Sequence, residues 1–314
     1  MFGMRRVLAA SAAALTLTAA AACGGAPQAP PAPDAQGGPR VVHHAMGTTT
    51  IHGKPKRVVV LDTGELDAAL ALGVRPVGTV LPDANQQLQP YLAEKAGNPA
   101  IVGTVSSANL EQIAALKPDL ILSSKTRDGE KYGQLSQIAP TVFAETVGKT
   151  WKENFLLDAE ALGERPKAQS ILDSYAARAA EIGKRAGNPG AVRVSMLRFA
   201  SGDIRLYGKG SFIGTILADA GFGRPANQQG DKTFQQVSRE QVAQADGDLL
   251  FHAGYGDTGR RQMQEVMRSP QWPALGAVRA GKAVEVSDDT WFLGCGPLAA
   301  NLVLDDLDKH VHPK

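Results

Sequence analysis

Three arginines stand where short apolar runs end. Arg127 follows the run 119–122 and sits in the segment Ser124, Lys125, Thr126, Arg127. Arg198 comes at the end of the run 192–197, and Arg205 and Tyr207 follow it in a hairpin-like segment. A guanidinium is a rigid planar fork that holds anionic oxygens through paired, charge-assisted hydrogen bonds. Ligands of open α/β sheets sit outside the ends of the strands. The chemistry that these residue types offer is therefore non-covalent capture of an anion, with Lys125 as a further cation. The competing reading makes them surface arginines paired with Asp203 and other acids. Trp291 and Phe292 follow the run 283–286 and precede Gly294 and Gly296; they suit a cleft wall or, equally, core packing. Asp62 and Thr63 follow the first strand and either line the same edge or serve as turn and N-cap.

Other chemistries find less support. There is no nucleophile elbow and no Walker A motif; Gly208, Lys209, Gly210 and Ser211 resemble the end of a P-loop but lack its upstream glycine. Five of the six histidines, His43, His44, His52, His310 and His312, lie near the termini and only His252 is internal, which does not suit a four-ligand metal site. Neither a cofactor nor a metal is expected. Cys295, alone between Gly294 and Gly296, reads as a small buried residue.

The elements that must position these side chains begin after a targeting segment. Arg5 and Arg6 precede an apolar stretch of roughly a dozen residues and then a small-residue run ending at Cys23. The apolar stretch is shorter than the ~20 residues a transmembrane helix needs. Residues 1–22 read as a signal peptide and 23–40, rich in Pro, Ala and Gly, as a flexible tether. Lys and Arg number 33 and Asp and Glu 31; Arg5 and Arg6 leave with the signal peptide, which balances the two and removes any basic character that would suit nucleic acid.

Beyond the tether, short apolar runs alternate with helical patterns over 41–150, the plan of a parallel α/β sheet. Residues 151–162 read as a helix. Residues 166–187 read as a longer one, about 30 Å at ~1.5 Å per residue, with Ile171, Leu172, Tyr175, Ala179 and Ile182 on one face and a stop at Gly187, Asn188, Pro189 and Gly190. The strand–helix plan then restarts at Val192 and fills 188–314. Asn109, Leu110, Glu111 in the first half corresponds to Ser238, Arg239, Glu240 in the second, each opening a helix that precedes a strand. The helix over 166–187 therefore reads as a spine between two α/β lobes.

The stretches PKRVVVLDTGELDAALALGVRPVG, NLEQIAALKPDLIL, LSQIAPTV, RFASGDIRLYGKGSFIGTILADAGF, VSREQVAQADGDLLF and GPLAANLVLDDL, in this order and spacing, resemble the substrate-binding lipoproteins of iron–siderophore and cobalamin ABC importers. The resemblance implies two Rossmann-like lobes with mainly parallel sheets, joined by a single long backbone helix, with a ligand cleft between them and little lobe motion. It implies a monomer, anchored by a lipid on Cys23 outside the cell membrane, that binds a ferric siderophore and hands it to an ABC permease. Cobalamin or haem as ligand, and a cell-envelope interaction module on the same fold, stay open. By residue, the resemblance assigns siderophore contact to Arg127, Arg198, Arg205 and Tyr207. It assigns permease docking to Glu111 and Glu240, one on each lobe; a Glu in a first helical turn is also favourable through the helix dipole alone. At Ala20 the run before Cys23 departs from the usual lipobox leucine. Replacing Cys23 by serine is expected to move the protein from the membrane fraction to the soluble fraction on cell fractionation; retention in the membrane would exclude Cys23 as the anchor.

Overall fold

The structure, a computed structural model, describes residues 38–200 and 202–311. The expected signal peptide, Cys23, most of the tether and His312 lie outside the described residues. Arg40, placed by the sequence at the end of the tether, instead opens a strand: β1 (Arg40–His44) pairs antiparallel with β2 (Gly47–Ile51). The hairpin is tied to the body through the Arg40 guanidinium, which donates to the carbonyls of Glu160 and Ala161.

The first lobe follows as β3 (Val58–Val60), α1 (Thr63–Ala71), β4 (Gly78–Leu81), α2 (Pro90–Ala96), β5 (Ala100–Thr104), β6 (Ser107–Ala108), α3 (Leu110–Ala115), β7 (Leu120–Ser124), α4 (Lys125–Asp128), α5 (Tyr132–Ile138) and β8 (Thr141–Ala144). Its sheet has the order β6-β5-β4-β3-β7-β8 and is parallel except for the two-residue β6. The three valines of β3 are fully buried, as a strand covered by helices on both faces requires. The β1–β2 hairpin lies along the β8 edge: Ala45 N–H donates to the Phe143 carbonyl at 3.0 Å and the Thr49 hydroxyl to that of Thr141 at 2.7 Å. An edge covered in this way no longer offers a free ladder to another chain.

Two helices follow, α6 (Trp151–Leu162) and α7 (Arg165–Arg185). Gly163, with φ +74°, turns the chain between them in a conformation that favours glycine. On α7 the buried residues are Ala168, Leu172, Tyr175, Ala179, Ile182 and Gly183. A Cβ on Gly183 would stand 2.3 Å from the Ala220 carbonyl oxygen, so glycine is what lets α7 approach the following lobe.

The second lobe comprises β9 (Val194–Ala200), β10 (Asp203–Tyr207), α8 (Phe212–Asp219), β11 (Phe234–Val237), a 3-10 helix at Arg239–Ala245, β12 (Leu249–Tyr255), α9 (Gly256–Met267), α10 (Gln271–Ala274), α11 (Gly276–Arg279), β13 (Ala283–Glu285), α12 (Asp288–Trp291) and α13 (Pro297–His310). Its sheet order is β11-β10-β9-β12-β13. The pairing here is mixed: β9, β12 and β13 are parallel, while β10 pairs antiparallel with both β9 and β11. A turn as short as that between β9 and β10 permits only a hairpin.

Each sheet has an outer core of its own, around Ile113, Leu135 and Phe143 in the first lobe and around Val242, Met263 and Trp272 in the second. Between the sheets, α1, α6, α7, α8 and α13 share one larger core that takes in residues of both. The long α7 is thus joined by α13 in bridging the lobes. Asp67 of α1, fully buried, accepts from Leu298 N–H at 2.8 Å and Ala299 N–H at 2.9 Å, capping α13 from the other lobe. Gly296 makes room for it, since a Cβ there would lie 2.5 Å from the carboxylate.

Burial raises the Asp67 carboxyl to about 7 against the two backbone donors. The folded chain therefore holds a proton that the unfolded chain releases from its ordinary value of 3.8 upward. The contribution of this group to stability falls as pH rises through that window and is level above it. In melting curves across that window, the wild type is expected to lose stability relative to Asp67→Asn as pH rises. Asp67→Ala is expected to cost about 2 kcal/mol through the uncapped helix; parallel pH profiles for wild type and Asp67→Asn would refute the assignment.

Candidate functional site

The C-terminal ends of the first-lobe strands and one flank of the second-lobe sheet enclose a cleft of about 490 Å³. From the first lobe come Asp62 and Thr63 after β3, Asp83 after β4, Val105 after β5, Thr126 and Arg127 after β7, and 146–148 after β8. From the second come Arg198 of β9, Arg205 and Tyr207 of β10, Phe212 of α8, Phe234 of β11, Tyr255 of β12 and Phe292. The three arginines predicted from the sequence thus converge from two lobes on one space.

Each arginine has an acidic partner, and the partners sort them. Arg127 donates through Nε to Asp62 Oδ2 at 2.7 Å. Its side chain is 38 % exposed, and neither Nη has a hydrogen-bond partner among the described residues. Burial opposes its charge, but Asp62 outweighs burial and keeps the guanidinium firmly cationic. It stands in the short helix α4 rather than in the expected loop. Arg205 donates through Nη2 to Asp203 at 3.0 Å, is 25 % exposed and lies 4.4 Å from the Phe234 ring centroid. Its Nε is buried without a partner among the described residues.

Arg198 differs. Its side chain is only 6 % exposed, and it grips Asp288 with both Nε (2.6 Å) and Nη2 (2.7 Å) while Nη1 donates to the Tyr207 hydroxyl at 3.1 Å. The Tyr255 ring, 4.5 Å away, covers its face. Burial alone would lower its pKa, but Tyr207 and the Asp288 carboxylate hold it above the usual guanidinium value. All three donor nitrogens are committed, so Arg198 fixes Tyr207 and Asp288 in place and has little left for a ligand. Removing one partner of such a buried pair costs several kcal/mol, of order 3–5.

The aromatic wall also differs from expectation. Trp291 is 0 % exposed: its ring packs on Phe251 with centroids 4.3 Å apart, and its indole N–H donates to Asp306 on α13 at 2.9 Å. The indole therefore belongs to the core under α13, and Phe292 faces the cleft, with its ring 4.7 Å from that of Tyr207. Lys125 points outward and pairs with Glu145 at 2.8 Å; it does not line the cleft. Asp62 and Thr63 do, but both are engaged, Asp62 with Arg127 and its own helix N-terminus, and Thr63 as acceptor from Gln89 at 3.2 Å. Cys295 lines the floor, where burial pushes its thiol well above the ordinary value.

Sequence reasoning missed Tyr255, Phe234 and the 146–148 segment. Tyr255 ends β12, so the strand-end rule applied to the arginines would have found it. Its hydroxyl accepts from Ala84 N–H at 2.9 Å, and Asn85 donates to Asp289 at 3.3 Å, so two bonds cross between the lobes at this end of the cleft. Phe234 carries no such signal, because β11 joins its sheet only through the antiparallel partner β10. His252 is 2 % exposed against Trp272 and Met263, and burial lowers it to about 4. Among the described residues no three His, Cys, Asp or Glu side chains form a group suited to a metal ion.

Outside the cleft, Glu111 and Glu240 occupy matching places. Glu111 is in the first turn of α3, which Asn109 caps by accepting from Gln112 N–H at 3.0 Å. Glu240 is in the first turn of the 3-10 helix that Ser238 opens, where the Gln241 side chain accepts from Ser238 N–H at 3.0 Å. Both are exposed. The backbone at its own position and the Ser238 hydroxyl hold Glu240 below the usual carboxylate range.

Comparison with known proteins gives a consistent picture. Residues 58–290 match the family model described as periplasmic binding protein. The chain is 38 % identical over 283 residues to the probable siderophore-binding lipoprotein YfiY of Bacillus subtilis, covering 86 % of this chain and 87 % of that one. It is 32 % identical to the Fe(3+)-citrate-binding protein YfmC of the same organism, over 88 % and 87 % of the two chains. Among solved structures it resembles Staphylococcus aureus SirA complexed with staphyloferrin B, with TM-score 0.78 and 34 % identity over 87 % of this chain and 98 % of that one.

Proposed function

The chain belongs to the periplasmic binding protein family, and from that premise we propose that it is the extracytoplasmic substrate-binding component of an ABC importer for an anionic ferric siderophore. The observation that carries the reading is the pair of incompletely paired guanidiniums, Arg127 and Arg205, facing one cleft from opposite lobes. Iron enters as cargo within the siderophore. The charged oxygens of the complex meet the free Nη groups of Arg127 on one side and Arg205 on the other, through charge-assisted bonds that Asp62 and Asp203 orient. Phe234, Tyr207 and Phe292 pack against the organic scaffold of the ligand. Arg198 supports from below without touching it.

Delivery needs a membrane partner. Glu111 and Glu240 stand exposed on equivalent helices of the two lobes, and in this reading each meets an arginine of the permease. The lipid on Cys23 keeps the protein at the outer face of the cell membrane, and the tether gives it reach.

Isothermal titration against a panel of ferric siderophores, ferric citrate and ferric staphyloferrin B included, is expected to find at least one that binds. With that ligand, Arg127→Ala and Arg205→Ala should each weaken affinity roughly ten- to hundredfold, the loss of one charge-assisted bond. Unchanged affinity in both variants would sink the anion site. For docking, radiolabelled iron uptake should drop in the Glu111→Ala, Glu240→Ala double variant while its ligand affinity stays at the wild-type value; normal uptake would exclude that role.

A further inference from the structure

Behind the cleft floor on the first-lobe side lies a second space of about 10 Å³, about what one water molecule needs. Asp62, Glu65, Asn154, Asp158 and Cys295 are among its walls. Glu65 is in the first turn of α1 and Asp158 on α6, and each is 2 % exposed. Glu65 Oε2 has no hydrogen-bond partner among the described residues. The Asn154 amide is turned away, donating to the Thr146 carbonyl at 2.7 Å.

The charges around Glu65 come from every element packed on it. Asp62 stands at the cap of its own helix, Asp158 on α6 and Arg127 on α4. The Cys295 thiol faces it from the segment before α13. Arg127, the cation of this group, is held through Nε by Asp62. Among the described residues neither Glu65 nor Asp158 has a counter-ion of its own. Two carboxylates buried in this way cannot both carry charge without a large desolvation cost. Burial raises Glu65 well above the usual carboxylate range, with Asp62 and Asp158 acting in the same direction, and burial raises Asp158.

We propose that Glu65 and Asp158 form a proton-holding site beneath the cleft floor, and that anion capture at Arg127 depends on this site remaining protonated. The proposal rests on the reading of the cleft as an anion site. While the protons stay, the charged carboxylates around Arg127 are Asp62, bonded to its Nε, and Asp83, which lines the same cleft. When one proton leaves, a new carboxylate appears behind the Asp62–Arg127 pair and repels the ligand's oxygens. Linkage requires the reverse as well: an anion bound at Arg127 makes the proton harder to remove. Affinity therefore falls as pH rises through the titration of the site, and binding within that range is accompanied by proton uptake.

Two measurements on the purified protein test this. Infrared difference spectra of wild type against Glu65→Gln and Asp158→Asn at neutral pH should show the carbonyl stretch of a protonated carboxylic acid that each variant loses. No such band would overturn the proposal. Titration calorimetry with ferric citrate and ferric staphyloferrin B, at about pH 6 and about pH 9, should show wild-type affinity falling roughly three- to tenfold at the higher pH. The profile should be flat in the Glu65→Gln, Asp158→Asn double variant, whose amides are close in shape to the protonated acids. A wild-type profile that is flat, or that the double variant reproduces, would also overturn it. If neither probe binds at either pH, the anion reading fails for these two ligand types and the coupling to them fails with it. The infrared band still decides separately whether the pair holds its proton.

Discussion

A carboxylate with no access to water holds the two halves of the cleft in register. Asp67 sits on α1, the helix that Asp62 caps, and receives the first free N–H groups of α13. The helix dipole favours a negative group at that end, while burial disfavours it, and the result is a group poised near neutrality. The segment 294–296 is drawn tight against α1 by this contact: a Cβ on Gly296 would meet Asp67, and one on Gly64 would come within 3.3 Å of Cys295. Phe292 and Cys295 reach the cleft because of that closeness. From its cap, α13 runs beside α7, where Arg178 pairs with Asp305 and Arg185 with Asp308, and it receives the indole of Trp291 through Asp306.

Charge in the cleft follows from pairing more than from the number of arginines. Asp62, Asp203 and Asp288 each claim one guanidinium. The three guanidiniums then differ in which N–H groups are left over. A guanidinium offers five donors in a fixed fork; the Asp288 and Tyr207 bonds use every nitrogen of Arg198, while one bond to Asp62 leaves both terminal nitrogens of Arg127. The carboxylate partners also orient the forks, which in the proposed reading reduces the ordering cost of ligand binding. Tyr255 and Asn85 pin the lobes at one end of the cleft, which together with the shared helical core favours small adjustments over wide hinge motion.

Much of the scaffold was legible from local signals. The helix at Trp151–Leu162 falls where the residue pattern places it, because its end is set by a neighbour in sequence, Gly163. Asn109 and Ser238 were readable as caps for the same reason. The β1–β2 hairpin and α2 were not: His43, Thr48 and Thr49 give no clear alternation, and the hairpin is held by carbonyls of Thr141, Phe143, Glu160 and Ala161, far away in the chain. Trp291 shows the same limit at the site. An aromatic pair after a strand can face a cleft or a core, and the choice was made by Asp306, which lies on another element.

By itself the sequence determined the α/β class, the two-part plan around α7, and the set of residue types able to meet an anion, since strand runs, helix faces, caps and stops act over a few residues. Only the tertiary structure decided which arginines keep free donors, that the Trp291 indole is anchored in the core while the Phe292 ring meets Tyr207, and that Lys125 turns away. It alone brought Glu65 and Asp158, ninety-odd positions apart, to the walls of one buried space. Pairing and desolvation depend on distances between side chains carried by different elements, and those distances come into being when the two sheets close on their common helical core.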